Sequence, residues 1–389
     1  MRISVTGLGI VSAIGMDLDS NHSSLLNLAS GISTIELLEG LGQEFFGGEI
    51  KLTNQQLAEI AFGEKQNEIL PRSLLLSLIS AKQAWGKNTI STKIKTAIIG
   101  ATTIGGMDLT EEYFRKNQRI HNLEYHPCGM INNYLADYFH LTQFKTTIST
   151  ACSSAANAII LGSRMIKNGI TDRVLVGGGD ALTNFTVNGF NSLRIYDTHL
   201  CKPFDDNRNG LNLGEAAAYI ILENDKSLSI TKNPKIATVL GWGNANDAYH
   251  QTASSPNGEG AQKAMQLALE EANLSPSEID YINAHGTATP NNDLSEGRAI
   301  ETLFGHKQLF SSTKAYTGHT LAAAGIVEFI YSILSIKNNT IFPVLNHNTK
   351  MSELDIKPVI NIKKDVEINT VLSNSFGFGG NNATIIIGE

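Results

Sequence analysis

The sequence predicts an α/β protein with a large buried core made from two similar halves. Short apolar, β-branched runs alternate with helical patterns from one end of the chain to the other, the pattern of strands covered by helices. The 389 residues are 42% apolar and only 17% charged, with 35 glycines, which suits a well-buried globular core rather than a disordered or fibrous chain. A strand closing in Gly-x-Gly occurs near the start, Ser4-Val5-Thr6-Gly7-Leu8-Gly9, and again near the middle, Thr238-Val239-Leu240-Gly241-Trp242-Gly243. This echo places a junction near residues 225–235, where Asn224-Asp225-Lys226 and Lys232-Asn233-Pro234 supply turn chemistry. The expected units are therefore residues 1–230 and 231–389.

Strands are expected at Ile3–Thr6, Thr96–Gly100, Val174–Gly177, Ala218–Leu222, Ala237–Leu240, Tyr281–Asn283 and Thr384–Ile387. Helices are expected between several of them, at Ala155–Lys167, Ala261–Ala272 and Thr320–Ile336. Strands so apolar are expected to be buried and largely parallel. Ser275-Pro276 reads as the N-cap and first position of a short turn after the second helix.

A net charge of −7 and the absence of a basic run argue against nucleic-acid binding. Cys128, Cys152 and Cys201 match no metal-ligand spacing and no disulfide framework, which suggests free thiols in a reducing compartment. No unbroken run of eighteen apolar residues stands out, so no membrane span is expected. The N-terminus runs directly into a strand without a signal-peptide pattern, so the expected location is cytoplasmic.

Four stretches could carry chemistry. Cys152, in Thr150-Ala151-Cys152-Ser153-Ser154, precedes an apolar helix; a helix N-terminus favours a thiolate and offers backbone N–H groups to an oxyanion. His285 follows the strand Tyr281–Asn283, with Thr287, Thr289, Asp293 and Glu296 close behind it, where α/β proteins place function. His319 precedes the apolar stretch from Thr320, whose positive end would keep the ring neutral and able to donate to an oxyanion. Glu328 lies inside that stretch and needs a partner if buried, Lys314 being the nearest. In Ser373-Asn374-Ser375-Phe376-Gly377-Phe378-Gly379-Gly380-Asn381-Asn382, clustered glycines imply positive φ angles and close backbone approach. Each has an ordinary structural alternative: a small buried thiol, a strand-capping histidine, a surface glutamate, a tight hairpin. Val176-Gly177-Gly178-Gly179-Asp180 opens no helix and so is not a dinucleotide fingerprint.

Taken together, Thr-Ala-Cys-Ser-Ser, Asn-Ala-His-Gly-Thr, Lys-x4-His and Asn-Ser-Phe-Gly-Phe-Gly-Gly, in that order, resemble the 3-oxoacyl-carrier-protein synthases. The resemblance is to the elongating branch of the thiolase superfamily and runs essentially the whole length of the chain. It implies a thiolase-like five-layered αβαβα fold from two duplicated halves. It implies that Cys152 takes an acyl chain from the phosphopantetheine thiol of an acyl carrier protein. His285 and His319 would then promote decarboxylation of a malonyl-carrier protein, with Lys314 and Glu328 holding the second histidine. Backbone N–H groups of Cys152 and Phe378 would receive the acyl-transfer oxyanion, and Phe378 with Phe190 would form a gate. Ile104 would limit chain length, with Thr287, Thr289 and Leu211 on the substrate path. No bound cofactor or metal is implied, since the phosphopantetheine arrives on the carrier.

Such enzymes are usually homodimers, sometimes heterodimers with an inactive homologue. That homologue, a chain-length factor, typically lacks the cysteine; this chain keeps Cys152 and both histidines. Three departures stand out. Leu211, in Arg208-Asn209-Gly210-Leu211, replaces an aromatic residue of the family, and the loop from Ile195 to Lys202 is short. Near Arg72 the family carries several basic residues for the carrier, and the run Pro71-Arg72-Ser73-Leu74-Leu75 holds only one. These favour a specialised pathway (aryl polyene, pigment or polyketide-like) over bulk fatty-acid synthesis.

Overall fold

The structure, a computed structural model, describes residues 2–116 and 123–389. Its strands are β1 (Ser4–Ser12), β2 (Ser33–Thr34), β3 (Phe46–Gly47), β4 (Thr96–Ala101), β5 (Lys145–Ile148) and β6 (Arg173–Asp180). They continue with β7 (Ala216–Glu223), β8 (Ala237–Asn246), β9 (Tyr281–Asn283), β10 (Phe310–Ser311), β11 (Thr370–Gly377) and β12 (Asn381–Gly388). All but the β2–β3 pair form one sheet in the order β10-β9-β11-β12-β8-β1-β7-β6-β4-β5. All seven strands expected from the sequence are present, most of them a few residues longer.

The expectation of largely parallel strands is corrected. Only the outer pairings, β10–β9, β9–β11, β6–β4 and β4–β5, are parallel. The inner five, from β11–β12 to β7–β6, are antiparallel. Burial on both faces had suggested parallel pairing, but helices cover both faces here regardless of strand direction. The sequence of pairings reads the same from either end, which is the signature of two equivalent halves. They join where β1 meets β8 through only two residue pairs, Ser4↔Thr238 and Val5↔Ala237.

The Gly-x-Gly echo has a packing cause. A Cβ on Gly7 or Gly9 would lie 2.2 Å from the carbonyl of Ala84 or 2.0 Å from that of Ser80. On Gly241 or Gly243 it would lie 2.4 Å from the carbonyl of Ala268 or 2.0 Å from that of Ala264. Each half thus lays a helix, Arg72–Trp85 or Glu259–Ala272, directly against its strand's bare backbone. One turn separates the two carbonyls in each case, matching glycines two residues apart on the strand.

Five layers follow. Helices Ser154–Lys167 and Ala324–Asn338 fill the middle, packing Ile159, Ile166, Ile326 and Ile330 against Val174 and Val176 of β6 and Ile385 and Ile387 of β12. The opposite face of β6, at Leu175, meets the outer helix Arg72–Trp85, and that of β12, at Ile386, meets Glu259–Ala272 and Pro290–Phe304. Alternate strand residues therefore enter different cores, as a period of two demands. Gly325 lets the middle helices touch, since a Cβ there would lie 2.9 Å from the amide of Ala156.

One finding goes beyond the expectation about membranes. Leu321–Asn338 has the length and composition of a membrane span, with mean hydropathy 1.3 over 18 residues. Within the fold 89% of it is buried, so it serves as the core of a layered protein.

Candidate active site

Cys152 lies in the turn after β5, two residues before the helix Ser154–Lys167. Ala151 adopts φ +53°, a strained value for a residue with a Cβ, which lifts Cys152 out of the strand line. The turn is held by Ser154, whose Oγ and N–H both donate to Ala151 O, at 2.5 and 3.1 Å. It is also fastened to the other half: Ser153 Oγ, Asn157 Nδ2 and Asn244 Nδ2 all donate to Asn381 Oδ1, at 2.8, 2.7 and 3.1 Å. Gly377 fits beside it only without a side chain, a Cβ being 2.8 Å from Thr150 O.

His285 follows β9. Its backbone N–H and that of Gly286 both donate to Glu296, at 2.8 Å each, and Asn374 Nδ2 donates to the same carboxylate at 3.0 Å. Asp293 accepts from the amides of Phe204 and Ala288, at 2.7 and 3.1 Å. Both acids therefore orient the loop. His319 is held by its backbone, its N–H donating to Asn212 O at 2.8 Å and its carbonyl accepting from Gly214 at 3.0 Å. The two imidazoles stand at 87° with centroids 5.3 Å apart. The sulfur of Cys152 and one ring nitrogen of each histidine lie within 4.8 Å of one another, all buried.

Lys314 joins this set from behind, against His285 and not, as expected, the second histidine. Its Nζ lies 3.2 Å from His285 Nδ1 and forms a buried ion pair with Glu328. Glu328 is indeed interior, 3% exposed, and burial lifts its carboxyl to about 7 against the opposing pull of Lys314. Sulfur and imidazole are donors that suit a soft divalent ion, but the adjacent ammonium opposes a further dication there.

Two electrostatic expectations change. Burial pushes the Cys152 thiol up to about 11, outweighing Lys314 and the N–H groups of Phe378 and Cys152 that favour the thiolate. A helix start does not by itself activate a thiol removed from water. His319 is held neutral, as expected, but burial is the main cause and the Lys314 charge the second. The helix proper begins only at Ala324, after a short 3-10 turn Leu321–Ala323, so His319 is not at its first turn. His285 is likewise held well below the usual histidine value, by burial first, then Lys314 and His319.

Cys152, His285 and His319 open onto a cavity of about 310 Å³. Its walls include Thr287, Thr289, Leu211, Phe190 and Phe378. Phe190 and Phe378 stack at 5.6 Å and 18°, and the hydroxyls of Thr287 and Thr289 lie 2.9 Å apart. The glycine-rich loop is both a hairpin, linking β11 to β12, and a wall of this cavity. Ile104 is not on the wall; it packs with Leu211, Leu213 and Leu321 in an adjoining apolar cluster. A larger surface cavity of about 1070 Å³, lined by residues such as Met107, Asp108 and Arg115, contains none of the chemical groups above.

The beta-ketoacyl synthase N-terminal domain model matches residues 1–227, and the beta-ketoacyl synthase C-terminal domain model matches residues 236–348. The chain belongs to the beta-ketoacyl synthase family. Among its relatives is "3-oxoacyl-[acyl-carrier-protein] synthase 2" of Staphylococcus aureus, 32% identical over 99% of this chain and 98% of that one. Similar solved structures include a ketosynthase in complex with its chain length factor from Xenorhabdus doucetiae, with TM-score 0.87, 30% identity, and coverage of 100% of this chain and 98% of that one. The ishigamide ketosynthase/chain length factor gives TM-score 0.90 at 27% identity with the same coverage.

The resemblance to beta-ketoacyl synthases had set Arg72 on a carrier-docking patch. Arg72, the one basic residue expected there, is interior: Nε and Nη2 donate to Glu215 at 2.8 and 2.6 Å, and Nη2 also to Ile50 O at 2.7 Å. It is a largely buried ion pair at the wall of the larger surface cavity, its charge matched by Glu215. Sequence reasoning named Asp180 and Asn381 only as members of their glycine runs and gave neither a role; Asp180 is fully buried beside the His319 turn, and Asn381 braces the Cys152 turn. The glycine run before Asp180 and the paired asparagines at 381–382 were the only signals.

Proposed function

We propose that the chain catalyses the decarboxylating Claisen condensation of a 3-oxoacyl-[acyl-carrier-protein] synthase, with Cys152 as nucleophile and His285 and His319 as oxyanion donors. The observation that carries this is one thiol and two neutral imidazoles converging in a single buried cavity. In the first half-reaction Cys152 sulfur attacks the thioester carbonyl of an acyl-carrier protein. The N–H groups of Cys152 and Phe378, already aimed at this sulfur, receive the developing charge, and the carrier thiol leaves with the proton. In the second, a malonyl thioester loses CO₂, and its carbonyl oxygen takes up the negative charge between the two histidines. Neutral donors in a site without bulk water stabilise that charge strongly. The resulting carbanion attacks the acyl-Cys152 carbonyl, a C–C bond forms, the Cys152 thiolate leaves, and the 3-oxoacyl chain departs on its carrier.

Lys314 and Glu328 position the histidines; Phe190 and Phe378 gate the cavity; Thr287, Thr289 and Leu211 border the pantetheine path; Ile104 shapes the acyl site beyond. No resident cofactor takes part in this scheme. The division into halves 1–230 and 231–389 belongs to the same reading, supported by the paired glycine contacts. So does a dimer, with a second copy or a homologous partner, across the sheet edge at β5, a strand with a single neighbour in the sheet. Three free cysteines support a reducing, cytoplasmic setting.

The test is intact-protein mass spectrometry after incubation with acyl-carrier protein and then malonyl-carrier protein, with Cys152→Ala and His319→Ala as controls. An acyl adduct on Cys152 that is consumed by malonyl-carrier protein with release of 3-oxoacyl product supports the proposal. Absence of an adduct with every acyl donor sinks it and favours a non-catalytic chain-length partner.

A further inference from the structure

Asp180 ends β6 after Gly177-Gly178-Gly179, a run with no part in the chemistry above. The glycines have a packing reason: a Cβ on Gly178 would lie 2.6 Å from the carbonyl of Ala101, and one on Gly179 2.4 Å from Ser77 Oγ. Bare backbone lets β6 close on β4 and brings Asp180 beneath the loop that follows β4. There its carboxylate, 0% exposed, faces donors only. Thr102 Oγ1 donates to Oδ1 at 2.5 Å and Thr103 Oγ1 to Oδ2 at 2.5 Å. The Thr103 N–H is shared between both oxygens at 3.0 and 3.2 Å, and the Ala322 N–H donates to Oδ2 at 2.9 Å.

These donors come from two separate places. Thr102 and Thr103 immediately precede Ile104. Ala322 lies three residues after His319, in a 3-10 turn entered through Leu321 at φ +52°. Ile104, Leu211 and Leu321 also pack in one apolar cluster. The Cys152 turn is fastened by other groups, Ser153 and Asn157 to Asn381. We propose that Asp180 is a positioning residue that sets His319 against the loop carrying Ile104, so that malonyl decarboxylation depends on it while acyl loading of Cys152 does not. The inference rests on the functional reading above. A carboxylate is required because it only accepts; an amide would turn its NH₂ toward one of the donors.

The test uses full-length Asp180→Asn and Thr103→Val beside wild type, His319→Ala and Cys152→Ala. Acyl transfer to Cys152 is followed by intact mass, and CO₂ release from malonyl-carrier protein is followed separately. Expected for Asp180→Asn is a fall in kcat for decarboxylation of about 10- to 100-fold, the scale of a small misplacement. KM for the malonyl carrier and the acyl-transfer rate should each stay within about threefold. Thr103→Val should shift decarboxylation in the same direction and less, and it carries the test alone if Asp180→Asn does not fold. Equal losses in both half-reactions, or none, overturn the inference. A wild-type chain silent in both half-reactions overturns the functional reading itself, and this inference with it.

Discussion

The ammonium of Lys314 donates to Nδ1 of His285 across 3.2 Å. An ammonium has only protons to give, so Nδ1 must accept and the ring proton resides on Nε2. One buried lysine therefore fixes which ring nitrogen of His285 is the donor, the role we propose for it toward substrate. Replacing Lys314 by Met should lower decarboxylation by about 100-fold and strand the Glu328 carboxylate, costing about 3–5 kcal/mol of stability. The double variant Lys314→Met, Glu328→Gln should regain much of that stability in urea unfolding while its decarboxylation stays low. Recovery of activity together with stability would contradict a role for Lys314 in orienting His285.

The high thiol value of Cys152 predicts sluggish alkylation at neutral pH. With the thiol at about 11, the iodoacetamide rate at Cys152 should climb about tenfold per pH unit from pH 7 toward 10. Peptide mass spectrometry separates Cys152 from half-buried Cys128. A plateau from pH 7 would instead reveal a thiolate–imidazolium pair.

The histidines set an acid-side limit. Their folded values lie well below 6.5, so below pH 6.5 the unfolded chain binds protons that the folded chain refuses. Stability from this source is present above 6.5 and is lost as pH falls, by up to about 1.4 kcal/mol per pH unit for each ring. Glu296 and Glu328, raised to about 7 from 4.5, act oppositely between those values. Comparing wild type with His319→Asn from pH 7.5 to 5 isolates one ring. The stability difference should move in the variant's favour as pH drops, and an unchanging difference would refute a depressed His319.

Arg72→Ala should unfold at markedly lower denaturant, by about 3–5 kcal/mol, because Glu215 loses a bidentate buried partner. KM for carrier substrates, measured on the folded fraction, should change little. A large KM effect at unchanged stability would return Arg72 to the docking surface.

Much of the site was legible in the sequence because its chemistry is concentrated in short runs. Local context offered the thiol and both histidines as candidates, each with an ordinary alternative, and only the order of their runs singled them out; Lys314 and Glu328 could be paired because a charged residue inside an apolar helix demands a partner. Strand direction was not legible: burial on both faces looks the same for parallel and antiparallel neighbours. The ionisation of Cys152 was misjudged because desolvation depends on what packs over the turn, which no neighbouring residue reveals. Asp180 and Asn381 were given no role for a related reason, as their partners lie far away in sequence. Arg72 was tied to carrier docking by resemblance, and its partner Glu215 lies too far away in sequence for local context to reveal it.

In the ten-stranded sheet, β5 and β9 stand near opposite ends, yet Cys152 follows the one and His285 follows the other. The sheet must wrap around its two middle helices before these side chains can meet. Reactivity is thus an emergent property of the closed molecule, and a fragment holding either end owns a thiol without its histidine or a histidine without its thiol. Assembly of the chemistry and completion of the topology are one event, so the first turnover certifies that the whole chain has folded.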